Sequence, residues 1–351
     1  MIIKSIAVVF VLGVIVVVHE LGHFISARSI GVAVQEFAVG IGPTLWKKQG
    51  KHTVYSVRCF PVGGFCLFDP HLEGNDRKGR PLSLADRKAF SKIYISLAGP
   101  AMNFVMTAAL FIVLFSFIGV TTGYEAVVGE VNEGSAAQGA GILPGDRIVS
   151  IDGEALGSWQ DLSRILADKK EGSTLIFLIQ RGTETLSAAV TPNYNPEENR
   201  MMIGVVVDTK QAIIEKFSLL RSIGLGLSQT MVMIGALLEA VIQMITGKIS
   251  ISDNLSGFVG LAQVIGDTVS NGFSDTLFLT AFLSVNLGIM NLLPIPALDG
   301  GRVVMYLIEL VRRRPLKLEV EGWINAVGFA LLISLMIFLT IKDLVRLFGS
   351  P

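Results

Sequence analysis

Charge is the first thing this 351-residue chain is short of: Asp, Glu, Lys and Arg make up 17% of it, against 51% hydrophobic residues. Soluble domains carry about 25% charged residues, so the deficit excludes an ordinary soluble enzyme and points to a polytopic membrane protein. Twenty-nine basic residues balance 29 acidic ones. With no net charge and no long basic run there is no footprint for a nucleic-acid partner. Cysteine is nearly absent. Cys59 and Cys66 fall in a basic segment expected in the cytoplasm, where thiols stay reduced, so no disulfide is expected and a two-Cys metal site is incomplete. No small-residue cleavage pattern follows the first apolar run, so it is expected to be a retained span rather than a leader. The apolar segments show no inverted repeat, which argues against a transporter.

What is present sorts into seven segments. An uncharged run from Ser5 to Val18 continues to about Ser29, giving a first transmembrane helix at 1–30. Residues 31–92 alternate apolar and polar positions between glycines and carry Lys47, Lys48, Lys51, Arg77, Lys78, Arg80, Arg87, Lys88 and Lys92. They read as a cytoplasmic, membrane-associated β-region, because basic loops stay inside. A second transmembrane helix follows at 93–123. Residues 124–200 are soluble in composition, with strands, glycine turns and a helix at about Trp159 to Asp168. The stretch Leu143-Pro144-Gly145-Asp146-Arg147-Ile148, followed by Ile151-Asp152-Gly153, resembles a bacterial PDZ domain, a fold that binds extended peptides along a sheet edge.

Three further apolar stretches, Ser222 to Leu238, Thr276 to Leu298 and Gly322 to Ile341, create a conflict of parity. If 31–92 is inside, the second span exports the PDZ-like segment. The basic group Arg312-Arg313-Arg314 should again be inside, so an odd number of crossings lies between them. Ser222 to Leu238 is short and rich in Gly and Ser, so 201–271 is assigned to extracytoplasmic or interfacial helices. The third span lies in 272–311, and a basic loop with the fourth span lies in 312–351. The expected fold is therefore an α-helical membrane protein of about four spans, with a cytoplasmic β-region and one extracytoplasmic α/β PDZ domain.

The chain has four histidines, and two of them stand in Val18-His19-Glu20-Leu21-Gly22-His23 on the first span. The other two, His52 and His71, fall in the polar loop and read as solvated. Ionisable groups at membrane depth persist mainly where they serve a function. Residues i and i+4 share a helix face, so His19 and His23 can present ring nitrogens to one ion while Glu20 stays within reach of its water. Zinc with three protein ligands and one open position is a hydrolytic arrangement, in which the pKa of bound water falls from about 15.7 to about 7. The third ligand is expected at matching depth. The segment Asn291-Leu292-Leu293-Pro294-Ile295-Pro296-Ala297-Leu298-Asp299-Gly300-Gly301 breaks a helix around an aspartate near the inner face. Asp299 could equally cap the helix that follows.

These features, in order with Ala98-Gly99-Pro100-Ala101-Met102-Asn103 and Asn254-Leu255-Ser256-Gly257, resemble the site-2 protease family, and most closely the bacterial regulator-of-sigma-E type of intramembrane zinc metalloprotease. The chain departs from two-PDZ members in having room for one such domain. The resemblance implies one zinc per chain on His19, His23 and Asp299, with Glu20 as general base. It implies that Asn291, Pro294 and Pro296 help to hold substrate, and that Gly63 and Gly64 belong to an edge that pairs with it. The implied substrates are single-span membrane proteins such as anti-sigma factors or remnant signal peptides, cut in the bacterial inner membrane near its cytoplasmic side. A peptide ligand of the PDZ domain and the lipid bilayer are the other implied partners. The alternative is a non-catalytic PDZ membrane adaptor, against which the intact His, Glu and Asp set argues.

Overall fold

The computed structural model describes residues 2–69, 74, 82–170, 172–195, 200–248 and 257–348. His71, Arg77, Lys78, Arg80 and Asn254 to Ser256 lie outside the described residues. The chain divides into two compact units, Met1–Leu114 with Ser218–Pro351, and Phe115–Phe217.

The first unit begins with α1 (Ile2–Ser29), 28 residues without a proline. At 1.5 Å per residue it is about 42 Å long, more than the hydrocarbon thickness of a bilayer. Strands β1 (Glu36–Gln49) and β2 (Val54–Leu67) are each 14 residues and fold back on themselves. Trp46 to Gln49 lie opposite Val57 to Val54, while Glu36 to Val39 lie opposite both Val54 to Val57 and Leu67 to Gly64. Four short strand segments result. Gly64 to Leu67 forms one outer edge, with no further strand beside it among the described residues. Helix α2 (Ala89–Val113) carries Gly99 and Pro100, both buried, and ends in a wide π turn at Leu114–Ile118.

The second unit is built on strands. β3 (Val120–Tyr124) pairs with β12 (Ala212–Glu215), and β4 (Val128–Val131) with β11 (Val205–Val207). After the short α3 (Ala136–Gly139), β5 (Arg147–Ile151) and β6 (Glu154–Ala155) join β7 (Leu175–Arg181) and β8 (Glu184–Val190) in an antiparallel sheet of order β6-β5-β7-β8. Period-2 alternation along β7 sends Leu175, Phe177 and Ile179 inward. There they meet Leu162, Ile165 and Leu166 of α4 (Trp159–Ala167) in one core. β9 (Asn193–Asn195) and β10 (Arg200–Met202) complete the unit, which is wider than the expected 124–200.

The first unit resumes with α5 (Leu219–Ile245), α6 (Phe258–Asn271), α7 (Phe273–Leu292), α8 (Asp299–Arg312) and α9 (Leu318–Phe348). Among the described residues, five helices are long and apolar enough to cross a membrane: Lys4–Ser29, Ala89–Ile118, Leu219–Ile245, Phe273–Leu292 and Leu318–Val345. The stretch expected at 222–238 is thus part of a 27-residue helix. Small residues let backbones approach where helices cross. A Cβ at Gly22 would stand 2.3 Å from the Ala98 carbonyl oxygen, which fixes α1 against α2. α7 meets α2 through Gly288, where a Cβ would lie 2.7 Å from the Phe104 ring. Lys92 at the start of α2 forms a buried ion pair with Glu309 of α8, at 3.1 Å.

Candidate metal centre

The α1–α2 crossing sets the histidines. His19 and His23, one helical turn apart, are both buried. Nδ1 of His23 lies 2.8 Å from the Ile95 carbonyl oxygen of α2. A carbonyl only accepts, so Nδ1 holds the proton and Nε2 keeps its lone pair. Gly99 gives both rings their room: a Cβ there would come within 2.4 Å of His23 Nε2 and 2.8 Å of His19 Cε1.

Asp299 arrives from the other side on a chain that turns sharply between α7 and α8. The turn needs glycine, since a Cβ at Gly300 would lie 2.2 Å from the Leu292 carbonyl oxygen and one at Gly301 would lie 2.2 Å from that of Ile295. Ala297 takes a positive φ of 75°, and its N–H donates to Asn325 Oδ1 of α9 at 3.2 Å. The residue that caps α8 is Leu298, without a side-chain bond, and Asp299 is the first helical position. Its carboxylate is therefore free of a capping role and turns toward the histidines.

Three donor atoms converge. Asp299 Oδ2 lies 3.0 Å from His19 Nε2 and 3.3 Å from His23 Nε2, and the two Nε2 atoms are 3.2 Å apart. Oδ2 is buried and takes no hydrogen bond. Tetrahedral zinc with bonds of about 2.0–2.1 Å sets its ligands about 3.3 Å apart, so the triangle has the dimensions of three zinc ligands. Among the described residues this is the His, Asp, Glu and Cys cluster whose atoms could share an ion. The residues present thus fit zinc, and a cation between them would satisfy the orphaned oxygen. Beside the triangle opens a cavity of about 200 Å³ lined by Glu20, Phe65, Cys66, Asn291, Arg302 and Tyr306. Burial, with a smaller contribution from Glu20, pushes the Cys66 thiol up to about 12.

Comparison with known proteins decides the class. The model of Peptidase family M50 matches residues 7–335. The chain belongs to that family. A provisionally named zinc metalloprotease of Clostridium acetobutylicum is 36% identical over 334 residues, covering 95% of each chain. The Regulator of sigma-W protease RasP of Bacillus subtilis is 28% identical over 421 residues, covering 98% of each. Among solved structures, the PDZ domain of an SdrC-like protein from Listeria innocua is 28% identical over 24% of this chain and 92% of its own, with a TM-score of 0.22. This M50 peptidase is a zinc metalloprotease and an integral membrane protein.

In this M50 peptidase the residues singled out from sequence divide into three groups. His19, His23 and Asp299 meet, with Glu20 and Asn291 on the same cavity. Gly64 of β2 packs against Glu20 beside the cavity: a Cβ there would lie 3.3 Å from Glu20 Cγ and 2.8 Å from the Ala38 carbonyl oxygen. Gly63 serves the strand instead, with a φ of 97°, and Pro294 and Pro296 do not line the cavity. Pro296 seats α9, where a Cβ at Gly328 would meet it at 2.4 Å. Sequence reasoning gave no role to Asn103, which is fully buried with its Nδ2 3.2 Å from His19 Nδ1. The signal was available: a carboxamide in an otherwise apolar span carries the same cost that drew attention to His19.

Proposed function

We propose that this M50 peptidase is an intramembrane zinc endopeptidase that cuts single-span membrane proteins. The observation that carries the reading is the convergence of His19 Nε2, His23 Nε2 and Asp299 Oδ2 beside Glu20, at zinc-ligand spacing, in a cavity between apolar helices. Zinc held there supplies a Lewis acid that acidifies water and polarises a peptide carbonyl. Glu20 takes the proton from the attacking water and returns it to the leaving amine. His19, His23 and Asp299 hold the ion, and their burial keeps competing solvent ligands away.

The substrate must be extended, because a helix shields its own carbonyls. The outer edge at Gly64 to Leu67 offers unpaired backbone groups next to Glu20, and a substrate strand added there would carry its carbonyl past the carboxylate. Asn291, which lines the same cavity, would help to hold the substrate. In the second unit a groove between α4 and β10, lined by Trp159, Leu162, Leu166 and Met201, suits a peptide ligand, in keeping with the PDZ reading. The topology proposed is four spans in the bacterial inner membrane, with the zinc site near the cytoplasmic side and the PDZ unit outside. The name of the Bacillus subtilis relative, a regulator of sigma-W, is in keeping with a role in sigma-factor regulation; anti-sigma factors and remnant signal peptides are the substrate classes proposed here.

The test uses full-length protein in detergent. Wild type should carry one zinc per chain and cleave a model single-span substrate, while Glu20→Gln should keep its zinc and cleave about 10²–10⁴-fold more slowly. Equal cleavage by the two would sink the mechanism.

A further inference from the structure

The side chain of Asn103 stands where only one of its two orientations agrees with a metal on His19. Asn103 lies on α2, one turn beyond Gly99, and its side chain is completely enclosed. Its main-chain carbonyl accepts from Ser284 Oγ of α7 at 3.0 Å and from Thr107 Oγ1 at 3.0 Å, so the residue is pinned between helices. The carboxamide nitrogen faces His19 Nδ1 at 3.2 Å, and Oδ1 is buried without a partner. With nitrogen toward the ring, Nδ1 must accept. The proton then sits on Nε2, the atom that converges with His23 Nε2 and Asp299 Oδ2, and that atom has no lone pair to give.

The two ends of a carboxamide have nearly the same shape, so hydrogen bonding decides which way it points. A histidine that binds metal through Nε2 carries its proton on Nδ1 and needs an acceptor there. Turning the amide over puts Oδ1 against Nδ1–H and removes the orphaned oxygen. We infer that Asn103 is a positioning residue that accepts from His19 Nδ1–H through Oδ1 and so fixes the His19 tautomer whose Nε2 faces the ion. The Ile95 carbonyl does the same for His23 at 2.8 Å. One helix, α2, thereby orients both imidazoles of α1, by a backbone acceptor at one and a side-chain acceptor at the other. The inference rests on the zinc reading proposed above.

Full-length protein in detergent, in zinc-free and zinc-loaded forms, tests it with Asn103→Leu, which keeps the bulk without an acceptor, and Asn103→Asp, which keeps the acceptor. Zinc affinity is measured by chelator competition, the visible spectrum of cobalt-substituted protein reports ligand geometry, and thermal melting of the zinc-free protein reports folding. Asn103→Leu should bind zinc about 10–100-fold more weakly with an altered cobalt spectrum, while Asn103→Asp should bind within about threefold of wild type and keep the wild-type cobalt bands. Wild-type affinity in Asn103→Leu would overturn the inference. So would an Asn103→Asp that melts like wild type yet loses zinc tenfold, an outcome that stands even if the Leu variant does not fold. A wild type that binds no zinc would overturn the function proposed above together with this inference, whereas the two variant results bear on Asn103 alone.

Discussion

A methyl group at position 99 has nowhere to go: the nearest atoms are the ring atoms of His23 and His19, at 2.4 to 2.8 Å, and both rings are held by α2 itself. Gly99→Ala is expected to push the imidazoles off the triangle and lower zinc affinity at least tenfold, with cleavage falling in step. Gly224→Ala on α5, where nothing lies within 4 Å, is the control and should leave both unchanged. Asp299→Asn keeps the shape of the third ligand and removes its charge, so zinc content after dialysis should drop; full occupancy would return Asp299 to a structural role. The sequence made His19, Glu20, His23 and Asp299 legible because helical spacing and the cost of polar groups in lipid are local properties. Gly99 was not legible in this way, and Asn103 was legible only as a polar group in a span, without its partner. Their roles come from one helix crossing, at Gly22 against Ala98, that no residue announces by itself.

At the level of elements, hydrophobic periodicity fixed more than turns did. α4 was expected at about Trp159 to Asp168 and runs Trp159–Ala167, and β7 runs Leu175–Arg181 with its apolar residues at every second position, because such patterns are read along the chain. The folding of β1 and β2 into four segments was not readable, since it depends on pairings between positions far apart in the two strands. In the second unit the turn before β5 is closed by Asp146, which accepts from Leu143 N–H at 2.8 Å and from Arg181 Nε and Nη2 at 2.7 and 2.8 Å. Burial is the largest single influence and would raise this carboxyl, but the Arg181 hydrogen bonds, the Leu143 N–H and the Arg181 charge together outweigh it and hold Asp146 below its ordinary value of 3.8. A carboxyl depressed in the folded state favours folding when ionised. Its contribution is complete above the ordinary value and fades as pH falls through the lower folded one. The urea midpoint of this unit, followed by Trp159 fluorescence in a Trp46→Phe, Trp323→Phe background, should therefore decline below about pH 4. Asp146→Asn should start lower at pH 7 and lose that part of the decline.

For the whole molecule the open quantity was parity, and the site geometry now bears on it. The C-terminal end of α1 and the start of α2 share one side, because the loop between them joins the two. Lys92 at that start pairs with Glu309, and His19 in the same part of α1 meets Asp299, so the C-terminal end of α7 belongs to that side as well. The chain leaves α2 on the opposite side, so an odd number of crossings must return it. With α6, at 14 residues, too short to cross, the sidedness proposed above has only one of α5 and α7 crossing, although each is long and apolar enough. α7 leads directly into Asp299, and the buried stripe of α5, Ser222, Gly226, Thr230 and Met233, stops halfway along it. The four-span reading proposed above takes α7 as the span and α5 as the interfacial helix. In a Cys59→Ser, Cys66→Ser background, Leu220→Cys and Lys248→Cys mark the two ends of α5 and Arg314→Cys marks the cytoplasmic side. Ser222 itself is too buried to label. A membrane-impermeant maleimide added to intact cells should label Leu220→Cys and Lys248→Cys alike and leave Arg314→Cys untouched until the membrane is opened. Protection of Lys248→Cys with labelling of Leu220→Cys would mean that α5 crosses, and would require α7 to lie along the surface or re-enter for His19 and Asp299 to remain together.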